Sequence, residues 1–262
     1  MPFTLSHPAA VLPLRRLGLP TAVLVIASMV PDIPVFLGWT RAYELTHSLV
    51  GIVTIDLALA VAAVTWWSFV MRDALVDLAP SPVRSRLAAR VRPTRRDWAL
   101  TPLAAVLGAM THLAWDSFTH SGQWGVGRID WLQAQHGALT GFKWAQYASG
   151  VVGLAIVVVA AGAHLRTLTV PTDARRPRVL PAATLACVVA AGVVTALAAA
   201  VRSLSSGLPA MAFHAAVDSL IVVGLGLFLV TAAWRVVESR HDRHRPDRSH
   251  RSRRRRRRSP AR

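Results

Sequence analysis

The chain has 262 residues, of which 53% are hydrophobic and only 16% are charged, and its formal net charge is +17. This composition excludes an ordinary soluble domain, which is less apolar and richer in charged residues, and it indicates an integral membrane protein. The single cysteine, Cys187, excludes an intramolecular disulfide.

The first part of the chain contains short or interrupted apolar segments. Residues 3–14 can form only a brief helix, because Pro8 and Pro13 lack backbone N–H donors. No cleavable signal peptide is predicted there, since the segment has no charged start. Residues 21–39 are long enough to span a bilayer, but the motif PDIP at residues 31–34 breaks the helical pattern. Such a break is tolerated at membrane depth where the backbone lines a polar cavity.

The later apolar segments predict five more transmembrane helices. They cover residues 49–71, 98–119, 147–165, 180–201 and 211–234. We therefore expect an all-α fold, a polytopic helical bundle of about six transmembrane helices, in a membrane domain of residues 1–237. Residues 238–262 contain twelve arginines and three acidic residues and predict a disordered cytoplasmic tail.

Positive charge is concentrated on one side of this predicted bundle. Arg15 and Arg16, the loops 72–96 and 166–178 and the tail all fall on that side if six helices cross the membrane. The positive-inside rule places it in the cytoplasm, together with both chain termini. The tail is expected to bind anionic membrane lipids or to anchor the topology. It lacks the interleaved aromatic residues of a specific nucleic-acid site, and the sequence leaves protein partners open.

The segment GAMTHLAWDSFTHSG, residues 108–122, contains His112, Asp116 and His120 at intervals of four residues. On an α-helix these side chains fall within an arc of roughly 80° on one face. Ionisable side chains inside a bilayer are costly and usually functional. The spacing is typical of metal ligands, and His214 and Asp218 repeat it in the last apolar segment.

Ionisable residues from four predicted spans reach a similar depth in the outer half of the bilayer. They are Asp32, His47, Asp56, His112, Asp116, His214 and Asp218. Clustered carboxylates in a low-dielectric site repel one another unless a cation neutralises them. Imidazole and carboxylate groups are the usual ligands of zinc outside thiolate sites. The sequence leaves one alternative open, which is mutual His–Asp pairing around a water-filled cavity, as in proton or cation pathways.

The motifs MPFTLSHPAAVLPL, PDIP, YELTHSLVG and THLAWDSFTHSG resemble the bacterial integral-membrane family of domain of unknown function 4184. They are also similar to membrane-bound predicted metal-dependent hydrolases and, distantly, to zinc-dependent phospholipase C. The resemblance implies a phospholipase-C-like metal site with a divalent ion such as zinc. The ligands that it implies are His7, Asp32, His47, His112, Asp116, His120 and His214.

The resemblance further implies a bacterial inner-membrane hydrolase that acts on an ester or phosphoester bond, including those of lipid-linked substrates. A carboxylate outside the ligand set, Asp56 or Asp218, is expected to orient water or to act as a general base. His7 precedes the cytoplasmic Arg15 and Arg16, so its segment must fold back into the bundle to reach the ion. The competing expectation is a non-enzymatic membrane protein, either a cation or proton transporter or a pseudo-enzyme.

Overall fold

The computed structural model describes residues 4–170 and 177–243, and this part of the chain is almost entirely helical. Its helices are α1 (Pro8–Val11), α2 (Thr21–Ala27), α3 (Ile33–Phe36), α4 (Thr40–Thr46), α5 (Leu49–Leu78), α6 (Ser81–Arg84), α7 (Arg95–Thr119), α8 (Asp130–Gln133), α9 (Gly141–Thr167), α10 (Ala183–Arg202) and α11 (Leu208–Arg243). The strands β1 (Gln135–His136) and β2 (Leu139–Thr140) form one short antiparallel hairpin. The predicted all-α membrane bundle is confirmed.

Five of the described helices are long and apolar enough to cross a membrane: α5, α7, α9, α10 and α11. The first of the six predicted spans is a shorter, broken segment, Thr21–Phe36. Here α2 ends at Ala27, a 3₁₀ turn covers Val30–Asp32, and α3 follows. The break has the predicted cause, since Pro31 and Pro34 cannot donate to a continuous helical ladder. The last helix continues to Arg243, and the rest of the predicted tail lies outside the described residues.

Helices α2 and α7, which position Asp32 and carry His112 and Asp116, pack closely and run in parallel. Leu24 and Ala27 of α2 lie against Gly108 of α7, where an added Cβ would come within 2.7 Å of the Leu24 carbonyl oxygen. One turn further on, the His112 ring contacts the Ser28 carbonyl. Only glycine permits the approach at position 108, and this approach brings the end of α2 next to the end of α7.

The N-terminal segment runs beside α7 in the opposite direction. At one end, the Thr4 hydroxyl donates a hydrogen bond to Asp32 Oδ2 at 2.5 Å. At the other end, a Cβ on Gly18 would lie 3.3 Å from the Arg96 guanidinium, at the start of α7. The segment therefore folds back on the bundle and brings its first residues to the end of α7 that carries His112, as a role for His7 requires.

The two ends of the described chain lie at opposite ends of the bundle. Thr4 lies beside Asp32, near the C-terminal end of α7, whereas Glu238 pairs at 2.5 Å with Arg90, in the loop that precedes α7. A helix of 25 residues, such as α7, is about 37 Å long. Within the described residues, the N-terminal segment starts at the far end and runs towards the arginine-rich loops. The expectation that both termini face the cytoplasm stays a prediction, because residues 1–3 and 244–262 lie outside the described part.

Candidate metal centre

Four side chains from three parts of the fold converge at the C-terminal end of α7. Asp32 comes from the break after α2, His47 from the link between α4 and α5, and His112 and Asp116 from successive turns of α7. One ligand atom of each lies within 4.8 Å of the others. The side chains are at most 5% exposed. The structure thus brings together four of the residues that were expected to hold an ion.

The distances among these atoms match the coordination shell of one ion. His112 Nε2 lies 3.3 Å from His47 Nε2, 3.3 Å from Asp116 Oδ2 and 3.6 Å from Asp32 Oδ1. His47 Nε2 lies 3.5 Å from Asp116 Oδ2 and 3.7 Å from Asp32 Oδ1. In a tetrahedral zinc site with ligands at about 2.0–2.1 Å, neighbouring ligand atoms are about 3.3–3.4 Å apart. The group is therefore close to the size that a divalent ion requires.

The hydrogen bonds on the outer side of the two histidine rings fix which nitrogen faces the centre as an acceptor. His112 Nδ1 donates to the Ser28 carbonyl at 2.8 Å, and His47 Nδ1 donates to the Tyr43 carbonyl at 3.0 Å. In a neutral imidazole the other nitrogen then carries a lone pair. Metal-binding histidines typically make this kind of outer hydrogen bond. The two Nε2 lone pairs consequently face each other across 3.3 Å.

Asp32 also presents an atom at the centre that has no hydrogen-bond donor among the described residues. Its Oδ2 accepts the hydrogen bond from Thr4, but its buried Oδ1 has no hydrogen-bond partner within the described part of the chain. Buried carboxylate oxygens are normally paired. This oxygen points to the two histidine Nε2 atoms, so a cation at the centre would satisfy it.

His7 and His120, both expected to be metal ligands, lie outside the group of four. His7 Nε2 and His120 Nδ1 are each 3.2 Å from Asp116 Oδ1, the oxygen that does not face the other ligands. The helical spacing that placed His120 with His112 does not hold, because α7 ends at Thr119 and His120 has extended backbone angles. Both rings thus contact the outer oxygen of Asp116 and are not part of the group of four.

A pocket opens on the carboxylate side of the group. Asp32 and Asp116 line it, together with His7, His120 and Gln146, whereas His47 and His112 do not. Its volume of about 10 Å³ suits one water-sized molecule, which would lie beside the two carboxylates with the histidines behind them.

Tyr43 reports on the electrostatics of the site. Its ring lies 3.8 Å from the His47 ring, centroid to centroid. Burial raises the pKa of its phenol, and the nearby Asp116 and Asp32 carboxylates raise it further. The phenol therefore stays protonated, chiefly because it is buried and further because the two carboxylates lie nearby.

Three other predicted site residues do not join this group. His214 is exposed on α11, and Asp218 forms an ion pair at 2.9 Å with Arg202 of α10. Arg202 thus neutralises the Asp218 carboxylate, which was expected to orient water or to act as a general base. Asp56 is buried in α5, 1% exposed, and neither of its oxygens has a hydrogen-bond partner in the described residues. It does not line the pocket.

Two contributors were not expected from the sequence. Thr4 holds Asp32, and Gln146 contacts His120 with its side-chain amide at 2.8 Å. The only signal for Gln146 is a polar residue close to the start of an apolar segment, and no signal marks Thr4. Both contacts join residues more than 25 positions apart, so local spacing could not reveal them.

Comparison with known proteins gives a family but no activity. The family described as "Domain of unknown function (DUF4184)" matches residues 1–236, which include all four residues of the group. No curated protein and no solved structure matches the chain. The similarity to metal-dependent hydrolases therefore depends on the motifs and on the site itself.

Proposed function

Because the chain belongs to the DUF4184 family, whose function is unknown, we propose a function from its site: a membrane-bound metal-dependent hydrolase. The bond that it cleaves is an ester or phosphoester, and lipid-linked molecules are the proposed substrate class. The ion is zinc or a related divalent metal.

One observation carries the proposal, namely the two histidine Nε2 atoms that lie 3.3 Å apart beside an unpartnered Asp32 oxygen. Four acceptor atoms in a buried space are unfavourable unless a positive charge lies among them. Two nitrogens and two oxygens form a donor set that suits zinc.

With one further position open on the pocket side, a divalent ion held by this set would polarise an ester or phosphoryl oxygen and would lower the pKa of a bound water towards neutrality. The residues of the chain have separate tasks around it. His47 and His112 would hold the ion from behind, and Asp32 and Asp116 would hold it from the pocket side. His7 and His120 would orient Asp116 through its outer oxygen, and the bond to be cleaved would approach from the pocket side.

The proposed membrane placement follows from charge. Arginines concentrate at the N-terminal end of α7 and in the loop before it, so the positive-inside rule puts that end in the cytoplasm of the inner membrane. The metal centre then lies near the outer leaflet, Thr4 lies with it, and α11 ends in the cytoplasm. Exposed tryptophans in and beside the loop at the site end, Trp124, Trp131 and Trp144, suit a membrane interface. They support a substrate that resides in the membrane.

A second function, a cation or proton transporter, is favoured by Asp56. This buried carboxylate lies on the inward face of α5, one turn from the buried Ala60, and has no hydrogen-bond partner among the described residues. Ionisable residues without partners inside a bundle often mark ion pathways. In this case the metal group would be a binding step on a pathway instead of a reaction centre.

The proposal is tested with the purified full chain in detergent, by elemental analysis and by a panel of phosphoesters, carboxylic esters and phospholipids with and without chelator. We expect about one divalent ion per chain and a hydrolysis that chelator removes and zinc restores. A folded, metal-free protein would contradict the proposal. Bound metal without hydrolysis, together with metal-dependent ion flux in liposomes, would favour the transporter.

A further inference from the structure

A chain of side-chain hydrogen bonds connects the only lysine of the protein to a ligand of the proposed ion. Lys143 Nζ donates to Gln146 Oε1 at 3.0 Å, and Gln146 Nε2 lies 2.8 Å from His120 Nε2. On the other side of the ring, His120 Nδ1 lies 3.2 Å from Asp116 Oδ1. This series of hydrogen-bonded side chains thus links α9, through the end of α7, to the metal centre.

The lysine determines the direction of every bond in this chain. An ammonium can only donate, so the Gln146 oxygen must face Lys143 and the Gln146 amide N–H must face His120. The His120 Nε2 atom then has to accept, which leaves the ring proton on Nδ1. His120 Nδ1 lies 3.2 Å from Asp116 Oδ1 and 3.1 Å from the Thr119 hydroxyl oxygen, so the proton faces the carboxylate with the Thr119 hydroxyl beside it, and His120 is not available as a ligand through this nitrogen.

Apart from the contact with Gln146, the Lys143 ammonium lies 5.5 Å from the centre of the Phe142 ring. It lies in the first turn of α9, where a positive charge opposes the helix dipole. It forms no ion pair with an acid among the residues that the structure describes. Its one hydrogen bond to another side chain is the one to Gln146.

We propose that Lys143 and Gln146 are positioning residues for the metal ligand Asp116. They hold His120 as an Nδ1–H donor to the outer oxygen of Asp116, and the inner oxygen stays turned to the ion. The proposal rests on the proposed metal site, and it assigns to His120 the task of orienting a ligand.

The test measures the zinc affinity of the purified full chain by competition with a chromogenic chelator. Gln146→Leu removes the hydrogen bonds that link Lys143 to His120. We expect zinc to bind this variant about 10-fold to 100-fold more weakly, as for other partners of metal ligands. Lys143→Met leaves the Gln146 amide free to turn over, and we expect a loss of about tenfold. Lys143→Arg keeps a group that can only donate and should stay within about twofold of the wild type. Gln133→Leu, the same change at an exposed glutamine near the same end, should leave the affinity unchanged.

Two further measurements separate positioning from general stability. If the residues act in series, the double variant of Lys143→Met and Gln146→Leu should bind zinc as Gln146→Leu alone does. Additive losses, or an unchanged affinity in Lys143→Met, would overturn the proposal. The ¹⁵N shifts of the His120 ring in the wild type should show the proton on Nδ1, and a proton on Nε2 would overturn it without any variant. This spectrum can be read in metal-free protein, so it stays decisive if the proposed function fails because no metal binds.

Discussion

Both ends of the bundle bury carboxylates, but the two ends neutralise them differently. At the arginine-rich end, Asp73 is 2% exposed and accepts from Arg92 at 2.6 Å and from Arg235 at 3.1 Å. Asp77 accepts from Arg84 at 2.7 Å. At the other end, Asp32 and Asp116 are equally buried, and the only ion-pair partners that the described residues give them are histidines.

The difference shows where the chain supplies its own cations. Burying a carboxylate is costly unless a positive group accompanies it. Hydrogen bonding to Asp73 raises the pKa of Arg92, which keeps the guanidinium charged. The candidate metal centre has no arginine or lysine among its four residues, and its histidines each direct one nitrogen to a backbone carbonyl. One end is therefore complete as folded, whereas the other end could hold an ion from solution.

Removing a ligand of the metal centre should have the largest effect on zinc binding. We expect His112→Ala and Asp116→Ala to reduce the bound zinc from about one ion per chain to near zero, because each variant leaves only three of the four ligands. Elemental analysis of the purified variants measures this. Circular dichroism should show retained helices, and a variant that keeps its full metal content would contradict the assignment of that residue.

Removing the buried carboxylate at the arginine-rich end should lower stability and leave zinc binding unchanged. Asp73→Ala leaves Arg92 and Arg235 without their shared partner, and breaking a buried ion pair costs about 3–5 kcal/mol of stability. Thermal unfolding in detergent measures the loss. The fraction that remains folded should still bind zinc. If Asp73→Ala lost zinc without a loss of stability, the two ends would not be independent.

The contact between α2 and α7 should affect both stability and the metal. Gly108→Ala places a Cβ within 2.7 Å of a backbone oxygen, so the helices must move apart at a cost of about 1–3 kcal/mol. Because Asp32 and His112 sit on opposite sides of this contact, zinc affinity should fall with stability. Gly162→Ala is the matched control, since its Cβ meets no atom within 4 Å. It should keep its zinc and gain up to about 1 kcal/mol.

The smallest effects are expected on α11. His214→Ala and Asp218→Ala should leave the metal content unchanged, because neither residue belongs to the group of four. The Asp218 ion pair with Arg202 is largely exposed and contributes under about 1 kcal/mol. Elemental analysis and thermal unfolding of both variants check this, and a loss of zinc in either would return them to the ligand set.

The sequence could predict the height of a residue in the bundle better than the direction in which its side chain points. Four-residue spacing correctly put His112 and Asp116 on one face of α7, and the two prolines of the PDIP motif correctly predicted the break at Asp32. His214 and Asp218 illustrate the limit, because the way α11 faces its neighbours depends on contacts between distant segments. Arg202, the partner of Asp218, lies 16 residues away on another helix. His120 failed for a local reason, since the end of α7 before it could not be read to the residue.

X-ray absorption at the zinc edge of the loaded, purified protein tests the central claim most directly. The account predicts one zinc per chain with two imidazole nitrogens and two carboxylate oxygens at about 2.0–2.2 Å. Zinc that is not retained by the folded protein, or a shell with fewer than two imidazoles, would contradict it.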